Sequence, residues 1–164
     1  MDLPTSPARL WLHQWLLPSA VELNLRASNR DEVLVELAGK IAELGSRPDD
    51  RQALVRALLE REQLHSTGVG DGVALPHARN ALVGLVKQPV IVFGRHAKGI
   101  PFGAIDAQPV RLFFLLVATS VTQHLQILAR ISRLLRDPRL RANLLAADKA
   151  EQVVALLREA EQKL

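Results

Sequence analysis

The chain has 164 residues, of which 48% are hydrophobic and 23% charged; 21 Lys and Arg stand against 17 Asp and Glu, for a net charge of +4, and there is no cysteine. That balance excludes a disordered tail, which would be apolar-poor and charge-rich, and the missing thiols exclude disulfides, Cys-based zinc sites, iron–sulfur clusters and thiol nucleophiles. A sequence pI of about 10.1 is a weak nucleic-acid signal: the excess is spread along the chain, and the aromatic content of 4%, with no Tyr, is too low for stacking platforms.

The N-terminal stretch carries Asp2 where a signal peptide has a basic region, and His13 and Gln14 interrupt its apolar run. The longest apolar run, residues 112–118, falls far short of the roughly 18 residues of a membrane span. The expectation is a cytoplasmic, single-domain protein over residues 1–164, with its core at about 12–157.

Residues 10–17 place Leu12, Trp15 and Leu16 at helical spacing before Pro18 stops them. Val21, Leu23 and Leu25 alternate with polar residues and predict a strand. Ser28, three residues ahead of Asp31, is a loose capping signal for a helix carrying Val33, Leu34, Leu37, Ala38, Ile41 and Leu44, with Gly45 expected in a left-handed stop. Asp49 and Asp50 open a second helix through Leu54, Leu58 and Leu59 towards Leu64. Residues 89–93 and 110–118 read as strands, the second so continuously apolar that both its faces are expected to be covered. Gly99, Pro101, Gly103, Asp106 and Pro109 mark an irregular loop between them. Leu125, Leu128, Ile131 and Leu135 predict a long helix broken at Asp137-Pro138, followed by a short helix at 140–145 and a last one around Val153–Leu157. Helices flanking strands at both ends indicate an α/β or α+β fold with a covered sheet.

Chemistry concentrates in residues 65–77, HSTGVGDGVALPH. Gly68, Gly70 and Gly72 let the backbone turn sharply and expose successive N–H groups, the makings of an anion-binding concavity. Ser66 and Thr67 add hydroxyl donors, Pro76 limits the backbone freedom ahead of His77, and Arg61 sits at a predicted helix end with its guanidinium fork. Together they supply a nucleophile, fixed donors and a cation, as phosphoryl transfer requires. The alternative is an ordinary glycine turn with a solvated Arg. Neither a P-loop nor a dinucleotide motif fits the spacing, which disfavours a nucleotide site.

Arg61-Glu62, Ser66-Thr67-Gly68-Val69-Gly70-Asp71-Gly72-Val73-Ala74-Leu75-Pro76-His77, Ile105-Asp106, Pro109-Val110 and His124-Leu125 arrive in one order. That order resembles the signature of the type-2 IIA component of the bacterial sugar phosphotransferase system, the fructose/mannitol and nitrogen-regulatory class. The resemblance runs from about Leu12 to Leu157. It implies a mixed β-sheet sandwiched between helices and a phosphocarrier that takes a phosphoryl group from the phosphohistidine of HPr, or its nitrogen-system analogue, onto His77. It further implies Arg61 and His124 as supporting groups, a pocket lined by Ser66, Thr67, Gly68 and Gly70, and onward transfer to a IIB cysteine or regulation through phosphorylation state. Neither metal nor other cofactor is called for, and neither nucleic-acid binding nor membrane insertion is expected. With no IIB or IIC segment in the sequence, a free-standing IIA is expected. The alternative is a non-catalytic docking module of the same fold that binds a transporter or kinase.

Three departures from the family pattern stand near the motif: His65, expected to face solvent; Asp71, which would repel phosphate if it pointed inward; and Arg111, expected on the surface. His13 and His96 have no partners at metal-ligand spacing, Trp11 and Trp15 read as packing residues, and Arg130, Arg133, Arg136, Arg139 and Arg141 read as a solvated basic face.

Overall fold

The computed structural model describes residues 11–78 and 84–164. Five strands form one mixed sheet: β1 (Val21–Glu22), β2 (Gly68–Gly70), β3 (Val73–Ala74), β4 (Val90–Ile100) and β5 (Val110–Val117), in the order β1-β4-β5-β3-β2. β1 runs parallel to β4 and β3 parallel to β5, whereas β4/β5 and β2/β3 are antiparallel. The helices are α1 (Arg30–Ala38), α2 (Pro48–Leu64), α3 (Val121–Leu134), α4 (Pro138–Ala146) and α5 (Ala150–Gln162). α1 packs on β4 and α2, α3 and α4 pack on β5, and α5 packs on α4, β1 and the N-terminal turns. Successive residues of a strand face opposite sides, so the unbroken burial from Leu112 to Val117 means that helices or loops cover both faces of β5. Edge-on ring pairs, Phe93 with Phe114 and Phe102 with Phe113, fill the centre.

Several sequence expectations shift. The opening segment is two single 3₁₀ turns (Leu12–Gln14 and Pro18–Ala20), yet Leu12 and Leu16 are buried as their spacing predicts. The strand predicted over residues 21–25 shortens to β1, because Leu25 meets β4 only through a single bond from its N–H to the Arg95 carbonyl. The cap of α1 is Asn29, whose side chain accepts the Glu32 N–H at 2.9 Å; Ser28 instead gives its own N–H to the Glu32 carboxylate. α1 stops at Ala38, not Leu44, since Gly39 and an extended Ile41 interrupt it; a 3₁₀ turn (Ala42–Leu44) then keeps Ile41 and Leu44 in the core. Gly45 has a right-handed φ of −61° and is no left-handed stop. β4 continues to Ile100, well past the predicted residue 93, through a register shift between Arg95 and Ile100.

The basic series divides. Arg133, Arg136 and Arg139 are exposed as expected, but Arg130 pairs with the wholly buried Glu161 at 3.0 Å. Arg141 donates to the carbonyls of Leu135 and Arg136 at the end of α3. Among the described residues no group of His, Asp and Glu is arranged to hold a metal ion, and no helix is long and apolar enough to cross a membrane.

Candidate functional site

The sheet brings the end of α2, the segment ahead of β2, the segment after β3 and the start of α3 to one end of β5; the β2–β3 turn lies at the other end, where the Gly72 carbonyl takes the N–H groups of Arg111 and Leu112. His77 forms a parallel bridge with Leu116 of β5, so the central strand fixes its backbone. Its side chain is half-buried and turns back on its own chain, with Nδ1 at 2.7 Å from the Leu75 carbonyl oxygen. A carbonyl only accepts, so Nδ1 carries the proton and donates, leaving the lone pair on Nε2. No described residue bonds that Nε2.

His124 lies in the first turn of α3, which Ser120 caps by accepting the Gln123 N–H. Its ring is buried, with its centroid 5.0 Å from that of His77 and the planes tilted by 51°. Burial holds the His77 pKa below its ordinary 6.5; the Leu75 bond opposes this and the Arg61 charge adds to it. Burial, and then the neighbouring His77, lower the His124 value in the same way. Two neutral imidazoles therefore face each other at neutral pH. Arg61, in the last turn of α2, donates from Nη1 to the His65 carbonyl, which anchors the guanidinium where its charge reaches His77.

The structure draws Arg61, His77 and His124 together, and it places Ser66, Thr67 and Gly68 in the adjoining turn that leads from α2 into β2, while Gly70, paired with Val73, lies towards the far end of β5. The donors of that turn are largely engaged with protein partners. Ser66 Oγ donates to the Phe102 carbonyl at 2.6 Å and accepts the Gly68 N–H at 2.9 Å. Thr67 gives both its hydroxyl and its N–H to the carboxylate of Glu62. Gly70 has a φ of +95°, which only glycine adopts without strain. His65 and Asp71 are exposed, and the Asp71 carboxylate lies 3.9 Å from Arg141 of α4. Arg111 is exposed.

Sequence reasoning gave no role to Glu62, to the Leu75 carbonyl or to the loop that follows β4. Glu62 had a readable signal: it falls four residues after Leu58 and eight after Leu54, on the buried stripe of α2, where a carboxylate needs partners. The loop straps the turn through Phe102 and Asp106, the latter accepting the N–H groups of Asp71 and Gln108.

Two neutral imidazoles and an anchored Arg gathered at one end of the central strand define a histidine-centred site with a ring nitrogen that no described residue bonds. The chain matches the family model described as phosphoenolpyruvate-dependent sugar phosphotransferase system, EIIA 2, over residues 15–160, and it belongs to that family. It is 39% identical over 144 residues to a nitrogen regulatory protein of Bradyrhizobium diazoefficiens, covering 85% of this chain and 90% of the relative. It is 34% identical over 146 residues to the fructose-specific EIIABC component of Bacillus subtilis, covering 88% of this chain but only 22% of that longer protein. The crystal structure of nitrogen regulatory protein IIA-Ntr from Neisseria meningitidis superposes with a TM-score of 0.77 at 31% identity, covering 89% of this chain and 98% of that one.

Proposed function

We propose that this protein is a phosphocarrier whose His77 Nε2 accepts a phosphoryl group from the phosphohistidine of HPr or its nitrogen-system analogue. The group then passes to a IIB cysteine, or its presence regulates a partner. The observation that carries this reading is the 2.7 Å bond from His77 Nδ1 to the Leu75 carbonyl, which commits Nδ1 to a proton and leaves Nε2 as the nucleophile. In the transfer the Nε2 lone pair attacks phosphorus while the bond from phosphorus to the donor imidazole breaks and returns its electron pair to that ring. The proton stays on Nδ1, hydrogen-bonded to the Leu75 oxygen, throughout, so no general base is needed.

Such transfers depend on positioning and on stabilising charge on the phosphoryl oxygens. Arg61 supplies the fixed positive charge, and the positive end of α3 lies at His124. Neutral imidazoles suit the role, since a protonated His77 would have no lone pair to offer. Beside the site, Leu64 near the end of α2 and Val121 and Leu125 on the first turns of α3 are large exposed apolar residues, and they suit docking by a protein donor. The relatives' names support both a sugar-transport and a nitrogen-regulatory setting.

Incubation with phosphoenolpyruvate, enzyme I and HPr, read by intact mass, should add one acid-labile phosphoryl group to the wild type and none to His77→Ala. No gain by the wild type, with HPr itself phosphorylated and a cognate donor pair also tried, would overturn the carrier reading in favour of a docking module.

A further inference from the structure

The group that fixes the His77 imidazole is itself held by a buried carboxylate that the transfer chemistry does not use. Glu62 is 3% exposed. Its Oε2 accepts the Thr67 N–H at 3.0 Å, and its Oε1 accepts the Thr67 hydroxyl. Thr67 in turn offers its carbonyl to the Leu75 N–H at 3.0 Å, and the Leu75 carbonyl takes the His77 Nδ1 proton at 2.7 Å. Thr67 and Leu75 are each held at the N–H and each hold the next residue through the C=O, so the series runs from the Glu62 carboxylate to the imidazole without a gap.

We infer that Glu62 is a positioning residue for phosphoryl transfer: by clamping Thr67 at two points it sets the Leu75 carbonyl, and thereby the tautomer and orientation of His77. The inference deepens the carrier reading and rests on it. The chemistry favours a carboxylate at this place. Thr67 presents two donors at once, and a carboxylate has an oxygen for each. Burial raises the Glu62 pKa above 4.5, opposed by the two Thr67 bonds and then by the Arg61 and Arg30 charges. The bonds from Thr67 thus offset part of the cost of keeping the group buried. Glu62 also adjoins Arg61 in the chain, so one turn of α2 carries both the anchor of the turn and the cation of the site.

Outer partners that orient a metal-ligating imidazole typically cost tenfold to a hundredfold when removed, and the same scale is expected where the oriented imidazole is a nucleophile. Glu62→Ala should lower the rate of phosphoryl uptake from phospho-HPr by about that factor with little change in the KM for the donor. Imidazole nitrogen-15 shifts should move from a single Nδ1–H tautomer of His77 to a mixture, a change that loss of stability alone would not produce. Glu62→Gln should recover most of the rate and the single tautomer: its amide oxygen still takes the Thr67 N–H, and the hydroxyl rotates to accept from its NH₂ group. Thr67→Val, which removes one of the two clamps, should shift tautomer and rate part of the way, and it serves if Glu62→Ala does not fold.

A Glu62→Ala or Thr67→Val protein that keeps the wild-type tautomer and rate would overturn the inference, as would a Gln variant no better than Ala. The nitrogen shifts are read on unphosphorylated protein. Failure of the wild type to take up phosphate would therefore sink the carrier reading while leaving the test of the Glu62 relay intact.

Discussion

The imidazole of His77 is available because two opposing influences settle in favour of the neutral ring. Desolvation and the Arg61 charge press its pKa down, while the carbonyl bond pulls it up, and the balance lies below 6.5. In the window between the lowered folded value and 6.5 the unfolded chain binds a proton that the folded chain does not. The contribution of His77 to stability is therefore whole above 6.5 and is lost as pH falls through the folded value; His124 behaves alike. Phosphoryl uptake should be flat across neutral pH and fall on an acid limb whose midpoint lies below that of a free imidazole, measured as initial rate against pH with the donor in excess. A midpoint above 6.5 would contradict the burial argument. Residue type and order made His77, Arg61 and His124 legible in the sequence. The partners of Ser66 and Thr67 were not legible, because nothing in spacing reveals that their hydrogens go to Phe102 and Glu62.

The β2–β3 turn works as a unit with the strap formed by residues 101–109. A Cβ on Gly68 would stand 2.8 Å from Ala104 Cβ and 3.0 Å from its Cα, so the strap leaves no room there. Gly68→Ala should cost about 1–3 kcal/mol through overpacking and should also slow phosphoryl uptake, because the displaced turn carries Thr67; thermal unfolding and uptake rate measured on one preparation separate the two effects. β4 makes a comparable connection to α4. Arg95 Nη1 donates to the carbonyls of Leu144, Leu145 and Ala147 at the end of α4, while its Nε reaches Leu23. Arg95→Met should remove charged hydrogen bonds worth roughly 1.5–3 kcal/mol each at most, with earlier hydrogen exchange in α4 than in α2. These polar residues explain which elements the sequence revealed. α2 and α3 carry an apolar period and β5 an unbroken apolar run, so they could be read, whereas the far half of β4 holds Arg95 and His96 and carries neither. His96 is bound by its neighbours instead: its Nδ1 accepts the Gly99 N–H and its Nε2 donates to the Ala27 carbonyl. The end of α1 was misplaced for the opposite reason, since Ile41 and Leu44 keep the helical phase although the backbone has left the helix.

At the scale of the whole molecule, the chain ends are joined through one buried carboxylate. Glu161, fully buried near the end of α5, accepts the N–H groups of Leu12 and His13, the ring Nδ1–H of His13 and the Nε–H of Arg130. The Arg130 guanidinium also lies 5.8 Å from the centre of the Trp11 ring. The N-terminal turn, α3 and α5 thus meet on a single side chain, and α3 is the helix whose first turn carries His124. Removing a buried charge from such a set leaves its partners uncompensated, at a cost of about 3–5 kcal/mol. Glu161→Ala should therefore lower the melting temperature by roughly 2–4 °C for each kcal/mol lost. Glu161→Gln should restore it only in part, because an amide offers one oxygen where four donors converge: its NH₂ group could give a hydrogen to His13 Nδ1 in the other tautomer but would still face a backbone N–H that cannot accept. The contrast with Glu62 is chemical: there the second partner is a hydroxyl, which can turn and accept, so glutamine serves. Phosphoryl uptake by Glu161→Gln, assayed well below its melting temperature, should stay near wild type, since no partner of Glu161 touches His77. A Glu161→Gln protein as stable as the wild type would show that the N-terminal turn is not held by this carboxylate.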